Sequence, residues 1–365
     1  MSQSTSGFEF DDGAPLLEVE DTIVTYETSI GELRAVDGID FEVGENEIFG
    51  LVGESGCGKS TVAQAILGLL PSNGRVPSGE IRFRGVDLTE LSQPELNELR
   101  WENISLISQG AMNALNPVHR ISSQIIEAIQ AHRDTSDEEA RERVAELFEL
   151  VGLDPARMDD YPHQFSGGMK QRAYIAMSLA LDPDLIIADE PTTALDVIVQ
   201  DQILKRLKEL RDELGISVII ISHDISVIAE TCNRLGVMYS GKLMEYGNLQ
   251  SIFSDPYNPY TLGLQNAFPT LRGEQQDLIS IPGSPPDISN LPQGCRFMDR
   301  CPFATEECSR RHPDLAKVEE DHYSACHHHD KVEAMRRKAA HRETWQKVAE
   351  RTGRGAAEAG GSGDD

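Results

Sequence analysis

The sequence has few lysines. Only nine of its 33 basic residues are lysines, and they stand against 61 aspartates and glutamates, so the formal net charge is −28. Binding to nucleic-acid phosphates needs clustered Lys and Arg, and this balance argues against a nucleic-acid partner. An acidic surface poor in lysine is typical of proteins that stay hydrated in molar salt. The composition therefore predicts a protein of a salt-in halophile, with an ordinary acidic protein as the alternative.

Long apolar segments are also absent. No stretch of the sequence approaches the roughly 18 apolar residues of a membrane-spanning helix. The first five residues lack the basic-then-apolar pattern of a signal peptide. The sequence therefore predicts a soluble, cytoplasmic chain whose membrane association would come only through partners.

One glycine-rich segment fits a nucleotide phosphate loop. Residues 53–60 read Gly-Glu-Ser-Gly-Cys-Gly-Lys-Ser, after an apolar run with strand character and before a segment with helix character. Backbone N–H groups would surround phosphate oxygens, Lys59 would reach the β- and γ-phosphates, and Ser60 would ligate Mg²⁺. A glycine-rich turn without a ligand is the alternative. The predicted nucleotide-binding residues here are Gly53, Ser55, Gly56, Cys57, Gly58, Lys59, Ser60 and Thr61.

A second motif ends in two carboxylates. The apolar run 185–188 lies between Pro183 and Pro191 and fits a buried central strand of a parallel sheet. Asp189 at its carboxyl end suits a Mg²⁺ position, and Glu190 suits a general base that polarises the attacking water. A solvated turn is the alternative.

A third motif, Ser166-Gly167-Gly168-Met169, opens a predicted helix and would be a second anion-binding helix N-terminus. With the two motifs above, it resembles the ATP-binding cassette ATPases, in which the Ser-Gly-Gly of one protomer closes over the γ-phosphate held by the other. The resemblance implies an α/β P-loop fold, with a mostly parallel sheet core, an antiparallel β subdomain and a helical subdomain. It also implies ATP hydrolysis with Mg²⁺.

Further positions match the same family. The resemblance implies that Tyr26 stacks on adenine, that Gln109 contacts Mg²⁺ and the water, and that His223 contacts the γ-phosphate and orients Glu190. Taken singly, a strand aromatic, a solvated glutamine and a structural histidine are the alternatives. The Mg²⁺ ligands would then be Ser60, Gln109 and Asp189. The loop that crosses the dimer seam would be Ala194, Leu195 and Asp196.

The chain continues where a minimal cassette would end. Pro-Tyr-Thr at 259–261 and Ile-Pro-Gly-Ser-Pro-Pro at 281–286 resemble the C-terminal extension of ATP-binding subunits of oligopeptide and dipeptide permeases. This implies peptide import from the cytoplasmic face of the membrane, with nickel or another small solute as the alternative substrate. The implied partners are two transmembrane permease subunits, a homologous second ATP-binding subunit and, indirectly, an extracytoplasmic substrate-binding protein.

Two other classes of protein are weighed against this. Soluble cassette proteins that act on DNA or ribosomes carry a long coiled-coil insertion or a second cassette, and this sequence has neither. A metal- or redox-regulatory protein that uses the cassette as its input would not co-purify with permeases.

Four cysteines lie in the extension, namely Cys295, Cys301, Cys308 and Cys326. Disulfides are disfavoured in a reducing cytoplasm, and the spacing lacks the paired C-x-x-C of a zinc ribbon. Four thiolates in a short segment can still converge on a tetrahedral site or a cuboidal cluster. The resemblance to peptide permeases suggests a [4Fe–4S] cluster, with Zn²⁺ or unmetallated thiols as alternatives. The run 327–329 offers rival histidine ligands, although a solvated run is favoured.

The predicted organisation follows from these motifs. We expect a disordered N-terminus over 1–15 and an ATPase domain over 16–255, with its helical subdomain at about 94–180. The extension with the four cysteines would cover 256–330. A charged helix and a disordered acidic tail would occupy 331–365.

Overall fold

The computed structural model describes residues 8–11, 13–110, 114–193, 195–267 and 279–359. Its strands form a four-stranded and an eight-stranded sheet. The strands are β1 Leu17–Thr28, β2 Gly31–Val43, β3 Ile48–Val52, β4 Gly74–Phe83, β5 Val86–Asp87, β6 Ile104–Ile107, β7 Leu185–Asp189, β8 Ser217–Ser222, β9 Arg234–Tyr239, β10 Lys242–Asn248, β11 Ala316–Glu319 and β12 His322–Ser324.

The larger sheet has the strand order β11-β12-β10-β9-β3-β8-β7-β6. The strands from β9 to β6 run parallel, and β3, β7 and β8 are buried at every residue, as expected of strands covered on both faces. Val52 pairs with Ser222, and Asp189 pairs with Ile221. The loops after these three strands therefore emerge at one edge of the sheet. Ligands bind at this edge in open α/β sheets.

The smaller sheet is antiparallel, in the order β2-β1-β4-β5. It packs on the larger sheet through a cluster of buried hydrophobic side chains, in which the rings of Phe41 and Phe49 stack with centroids 5.1 Å apart. This is the antiparallel β subdomain that the sequence predicts.

Helices cover the larger sheet and form the helical region between β6 and β7. One of the helices in this region, Asp137–Leu150, starts at a capping box between Ser136 and Glu139. The helices are α1 Lys59–Ile66, α2 Gln93–Leu99, α3 Ile121–His132, α4 Asp137–Leu150, α5 Gly167–Ser178, α6 Val197–Leu214, α7 Ile225–Thr231, α8 Leu249–Ser254, α9 Pro259–Asn266, α10 Glu306–Arg310, α11 Val332–Ala339 and α12 Arg342–Ala359.

The extension continues the larger sheet. Strand β12 pairs with β10, and β11 pairs with β12. Across this junction His322 Nε2 lies 2.7 Å from Glu245 Oε1, and both side chains are fully buried. The Glu245 carboxylate also accepts the backbone N–H groups of Tyr257 and Asn258. A buried carboxylate with this many partners fixes how the extension packs on the cassette.

Both termini differ from the expectation of disorder. Phe10 packs edge-on against Phe83 with centroids 5.8 Å apart, and Asp11 N donates to Arg84 O at 3.0 Å. At the other end, the single predicted helix is replaced by α11 and α12, and α12 runs to Ala359. Trp345 anchors this pair, since it is buried and its Nε1 donates to Ala339 O at 2.9 Å. Residues 1–7, 12 and 360–365 lie outside the described part of the chain.

Among the described helices, none combines the length and the apolar composition needed to cross a bilayer.

Candidate active site and cysteine cluster

The phosphate loop connects β3 to α1, and its backbone requires glycine. Gly56 and Gly58 have φ angles of 78° and 106°, in the left-handed region that side chains disfavour. A Cβ atom on Gly53 would lie 2.1 Å from the carbonyl oxygen of Met238. The loop is therefore folded tightly over β9, with its N–H groups available at the N-terminus of α1.

Lys59 lies inside this loop. Its side chain is buried, and its ammonium donates to the carbonyl oxygens of Gly53 at 2.7 Å and Glu54 at 3.0 Å. Ser55 and Gly56 form the exposed tip of the loop. The Cys57 thiol is buried beneath the loop, where burial raises its pKa and Lys59 Nζ lies 3.7 Å from Cys57 Sγ.

Asp189 lies at the carboxyl end of β7, close to Ser60. Burial raises the pKa of Asp189, and a hydrogen bond from Ser60 opposes that effect. Its Oδ1 atom is buried and has no hydrogen-bond partner among the described residues. A buried carboxylate oxygen without a donor beside a serine hydroxyl fits a Mg²⁺ ion, which prefers oxygen ligands.

Glu190 is held by donors from three separate segments. Its Oε1 atom lies 3.0 Å from His223 Nδ1, and its Oε2 accepts from Gln109 Nε2 at 3.3 Å and from Thr193 Oγ1 at 2.8 Å. Burial raises the pKa of Glu190, but the hydrogen bonds from His223 and Thr193 outweigh it, so the pKa lies below its usual value. The carboxylate is therefore ionised at neutral pH, as a general base requires.

Tyr26 lies on β1 beside α1. Its hydroxyl is 3.4 Å from Thr61 Oγ1, and its ring covers Gly74, where a Cβ atom would come within 2.9 Å of Tyr26 Cε1. The ring is half-buried next to the helix that follows the phosphate loop. This position is compatible with stacking on the base of a bound nucleotide.

Ser166 is the N-cap of α5, and its hydroxyl accepts the backbone N–H of Met169 at 3.4 Å. Asp196 caps α6 in the same way through the N–H of Val199. In the described part of the chain, no hydrogen bond links residues 166–169 to the phosphate loop of the same chain. Leu195 packs against the buried hydrophobic cluster that includes residues of the larger sheet and of the helices. Ala194 lies outside the described residues.

The structure brings the four extension cysteines to one cavity. Their side chains are all buried, and burial raises the pKa of Cys295 to about 11 and that of Cys326 to about 12. Cys295 N also donates to Cys308 O at 2.7 Å. The cavity is lined by Cys295, Cys301, Cys308, Cys326 and His328, together with apolar residues.

His328 corrects the expectation of a solvated histidine run. It is buried, and its Nε2 atom lies 2.9 Å from Thr305 Oγ1 and 3.7 Å from Cys308 Sγ. Even so, no group of three or more His, Cys, Asp or Glu side chains within the described ranges meets the geometry of a metal site. The structure thus shows that the four thiols lie together, and it does not show a metal site among the described residues.

Thr193 is a site residue that the sequence analysis did not identify. Its hydroxyl reaches Glu190 because residues 190–193 form a turn, closed by Thr193 N donating to Glu190 O at 3.2 Å. The signal available in the sequence is a hydroxyl three residues after the carboxylate, within Glu-Pro-Thr-Thr.

Comparison with known proteins agrees with this site. A family model described as ABC transporter matches residues 36–193, and one described as oligopeptide/dipeptide transporter, C-terminal region, matches residues 244–308. The chain is 46% identical over 300 residues to the oligopeptide transport ATP-binding protein OppD of Escherichia coli (strain K12). The matched residues cover 82% of this chain and 89% of that protein. The chain belongs to the ABC transporter ATPase family. It is also 44% identical over 314 residues to the dipeptide transport ATP-binding protein DppD of Bacillus subtilis (strain 168), covering 85% of this chain and 94% of that protein.

Solved ABC cassettes share the fold. The dimeric cassette MJ0796, from a bacterial ABC transporter according to its description, superposes with a TM-score of 0.58 at 28% identity, over 64% of this chain and 98% of that one. The cassette cbiO1 from Clostridium perfringens gives a TM-score of 0.59 at 30% identity, over 66% and 91% of the two chains. The predicted α/β P-loop cassette fold and ATPase activity are therefore confirmed. The match to the C-terminal region ends at residue 308, before Cys326.

Proposed function

We propose that this ABC ATPase energises the import of dipeptides or oligopeptides across a membrane. A phosphate loop beside the Glu190–His223 pair and a peptide-transporter C-terminal region in one chain carry this proposal. The relatives named as oligopeptide and dipeptide transport ATP-binding proteins support it, because the identity extends over most of both chains. The partners are two transmembrane permease subunits and a homologous second ATP-binding subunit at the cytoplasmic face, with an extracytoplasmic binding protein delivering the peptide.

The proposed chemistry assigns one role to each part of the site. The phosphate loop and Lys59 bind the phosphates, and Ser60, Gln109 and Asp189 would hold Mg²⁺, which would offset the phosphate charge. Glu190 accepts the proton of the attacking water, and His223 keeps its carboxylate in place. Glu190 suits this role because its carboxylate is ionised and held by three donors.

Dimerisation completes the site in this proposal. The cap of α5, with residues 166–169, closes over the γ-phosphate held by the partner cassette, and residues 194–196 line the seam. Two exposed apolar side chains at the start of α6, Val197 and Ile198, support this, since they are 79% and 72% exposed in the single chain. ATP-driven closure and hydrolysis-driven opening would then move the permease subunits between two states.

The catalytic part is tested with Glu190→Gln in the assembled transporter. We expect turnover to fall by about 100-fold or more, because a positioned general base contributes at least that much. ATP-driven dimerisation should persist, since the substitution leaves nucleotide binding intact, and size-exclusion chromatography with MgATP measures it. Rapid hydrolysis by this variant would refute the assignment of the base.

The substrate is tested by reconstituting the chain with its permeases in liposomes and measuring ATP hydrolysis and uptake. Dipeptides and longer peptides should stimulate both, in the presence of the binding protein. Stimulation by Ni²⁺ and not by peptides would contradict the proposal. Glu190→Gln assemblies provide the control for uptake that does not depend on hydrolysis.

We also propose that the four extension thiols hold a [4Fe–4S] cluster with a structural role, with Zn²⁺ as the alternative. The support is the donor set, because four buried thiols line one cavity and cuboidal clusters are held by four cysteines. A bound metal group would supply a cross-link between the loop at 295–308 and the strand end at Cys326. It would displace the thiol protons that burial otherwise retains.

Anaerobic purification followed by analysis of iron, zinc and sulfide tests this assignment. We expect about four irons and four sulfides per chain, as in a cuboidal cluster, and a visible absorption that Cys295→Ser or Cys301→Ser removes. Cys232→Ser is the matched control, since Cys232 is a buried thiol outside the extension. One zinc per colourless chain would favour the alternative, and a metal-free chain would refute both.

Adaptation to high salt is proposed from the net charge of −28 and the scarcity of lysine. We expect the unfolding temperature to rise steeply between low salt and molar KCl. A flat response to KCl would contradict this proposal.

A further inference from the structure

Two arginines of the extension reach the nucleotide site. Arg296 directly follows Cys295, and Arg300 directly precedes Cys301. Both arginines are almost fully buried, at 7% and 4% exposure. Neither lines the cavity of the thiols, and both make their polar contacts with segments around the phosphate loop.

Arg300 binds Glu54, the second residue of the phosphate loop. Its Nη1 atom donates to Glu54 Oε2 at 2.7 Å and its Nη2 atom to Glu54 Oε1 at 2.9 Å, which is a bidentate pair. The two residues are 246 positions apart in the sequence. This pair therefore ties the loop that receives the triphosphate directly to the extension.

The guanidinium of Arg300 is fixed by other partners. Its Nε donates to Pro282 O at 2.9 Å, Nη1 also donates to Tyr239 Oη at 3.2 Å, and Nη2 also donates to Ile281 O at 3.3 Å. All three nitrogens are engaged, so Glu54 is held by a rigid group. The backbone N–H of Glu54 donates to Tyr260 Oη at 3.1 Å, which adds a second hold on the same residue.

Arg296 supports the loop indirectly. Its guanidinium donates to the carbonyl oxygen of Ser240 and to the carboxylate of Asp37. The next residue, Gly241, donates its N–H to the carbonyl oxygen of Cys57 at 2.8 Å. The segment 295–301 thus supports the phosphate loop at two points, Glu54 and Cys57.

Glu54 gives this contact an electrostatic consequence. A carboxylate within a triphosphate-binding loop repels the ligand unless a cation neutralises it. Lys59 donates to a backbone carbonyl oxygen inside the loop. The cation that pairs with the Glu54 carboxylate is therefore Arg300. Its Coulombic effect is strong because the pair is largely shielded from water.

We propose that Arg300 is a positioning residue for MgATP binding, which neutralises Glu54 and holds that part of the phosphate loop in place for the triphosphate. This inference rests on the proposed nucleotide-binding role of that loop. The extension then sets nucleotide affinity through the segment between Cys295 and Cys301. Arg300 itself contacts the loop and takes no part in the reaction.

Titration of MgATP into the purified full chain tests the proposal. Arg300→Met should raise the dissociation constant by about tenfold or more, because the partly buried Glu54 carboxylate is left without its partner beside the triphosphate. In the transporter, KM should rise more than kcat falls, as for the loss of binding that is the same in ground and transition states. Arg310→Met is the matched control, since Arg310 is an exposed arginine of the extension that pairs with nearby Glu306.

Two further variants separate charge from folding. Glu54→Gln in the Arg300→Met background should recover part of the lost affinity, because it removes the unpaired charge. Arg300→Lys keeps the positive charge and loses the bidentate hydrogen bonds of the guanidinium. We therefore expect an intermediate affinity for MgATP and a melting temperature near that of the wild type. If Arg300→Met does not fold, Arg300→Lys and Glu54→Gln decide the question in the same titration.

A structural role alone predicts a different result. Affinity for MgATP within twofold of wild type in Arg300→Met and Arg300→Lys, with only the melting temperature lowered, would overturn the inference. Failure of the wild-type chain itself to bind MgATP would refute the proposed function as well. These two failures are distinguished by the wild-type titration.

Discussion

His223 Nδ1 lies 3.0 Å from Glu190 Oε1 and joins the loops that follow the neighbouring strands β8 and β7. The histidine side chain is 58% exposed, whereas that of Glu190 is only 15% exposed. We expect His223→Ala to lower kcat by about 100-fold, because Glu190 loses the group that orients it. The KM for ATP should change much less, and steady-state hydrolysis by the assembled transporter measures both.

His223→Gln is the informative companion variant. Its amide can donate to Glu190 without titrating, so part of the activity should return if His223 acts by orientation. Equal activity of His223→Ala and the wild type would show that the contact has no catalytic role.

Thr193 supplies the shortest hydrogen bond to Glu190, at 2.8 Å. We expect Thr193→Val, which keeps the side-chain shape, to lower kcat by about tenfold or more, the effect of removing one donor from a charged acceptor. The acidic limb of the pH–rate profile should move to higher pH in this variant, because the lost hydrogen bond lowers the pKa of Glu190 in the wild type. Thr193→Ser keeps the hydroxyl and should resemble the wild type; a similar loss in both variants would contradict this account.

Gly168 marks a close contact between α5 and α6. A Cβ atom at this position would lie 2.6 Å from Val199 Cγ1, and a β-branched side chain has few rotamers with which to yield. We expect Gly168→Ala to lower the free energy of unfolding by about 1–3 kcal/mol through overpacking. Chemical denaturation measures this loss. The double variant Gly168→Ala, Val199→Ala should recover most of the stability, and failure to recover it would place the strain elsewhere.

The sequence predicts the parts of the site that follow buried parallel strands. The phosphate loop, Glu190 and His223 each come directly after a fully buried strand, and parallel strands align their carboxyl ends. Thr193 escaped prediction because its role depends on the turn geometry of four residues, which many sequences adopt. Val199 escaped because the approach of two helices is decided by packing and leaves no local pattern.

Long-range polar contacts are beyond sequence reasoning for a different reason. Arg300 and Glu54 lie on separate segments, and either residue alone is indistinguishable from a solvated charge. The termini show the same limit. Phe10 lies in a stretch predicted to be disordered and Trp345 in one predicted as a charged helix, and in both cases a single aromatic side chain fixes the segment on the core.

His312 makes the extension sensitive to acid. Burial lowers its pKa to about 4, with the charges of Lys242 and Arg296 acting in the same direction and Asp37 opposing them. In the unfolded chain the pKa of His312 has its ordinary value near 6.5. Between about pH 6.5 and 4 the unfolded chain therefore binds more protons than the folded chain, and stability falls as the pH falls.

His312→Asn removes this titration. The amide oxygen of the new side chain can still accept the N–H of Arg296, whose nitrogen lies 3.4 Å from His312 Nδ1 in the wild type. Between pH 7 and 5 we expect the variant to lose about 2 kcal/mol less unfolding free energy than the wild type. Denaturant titrations at both pH values, with the exposed His119→Asn as control, measure the difference; equal losses in the wild type and His312→Asn would mean that His312 is protonated without cost in the folded chain.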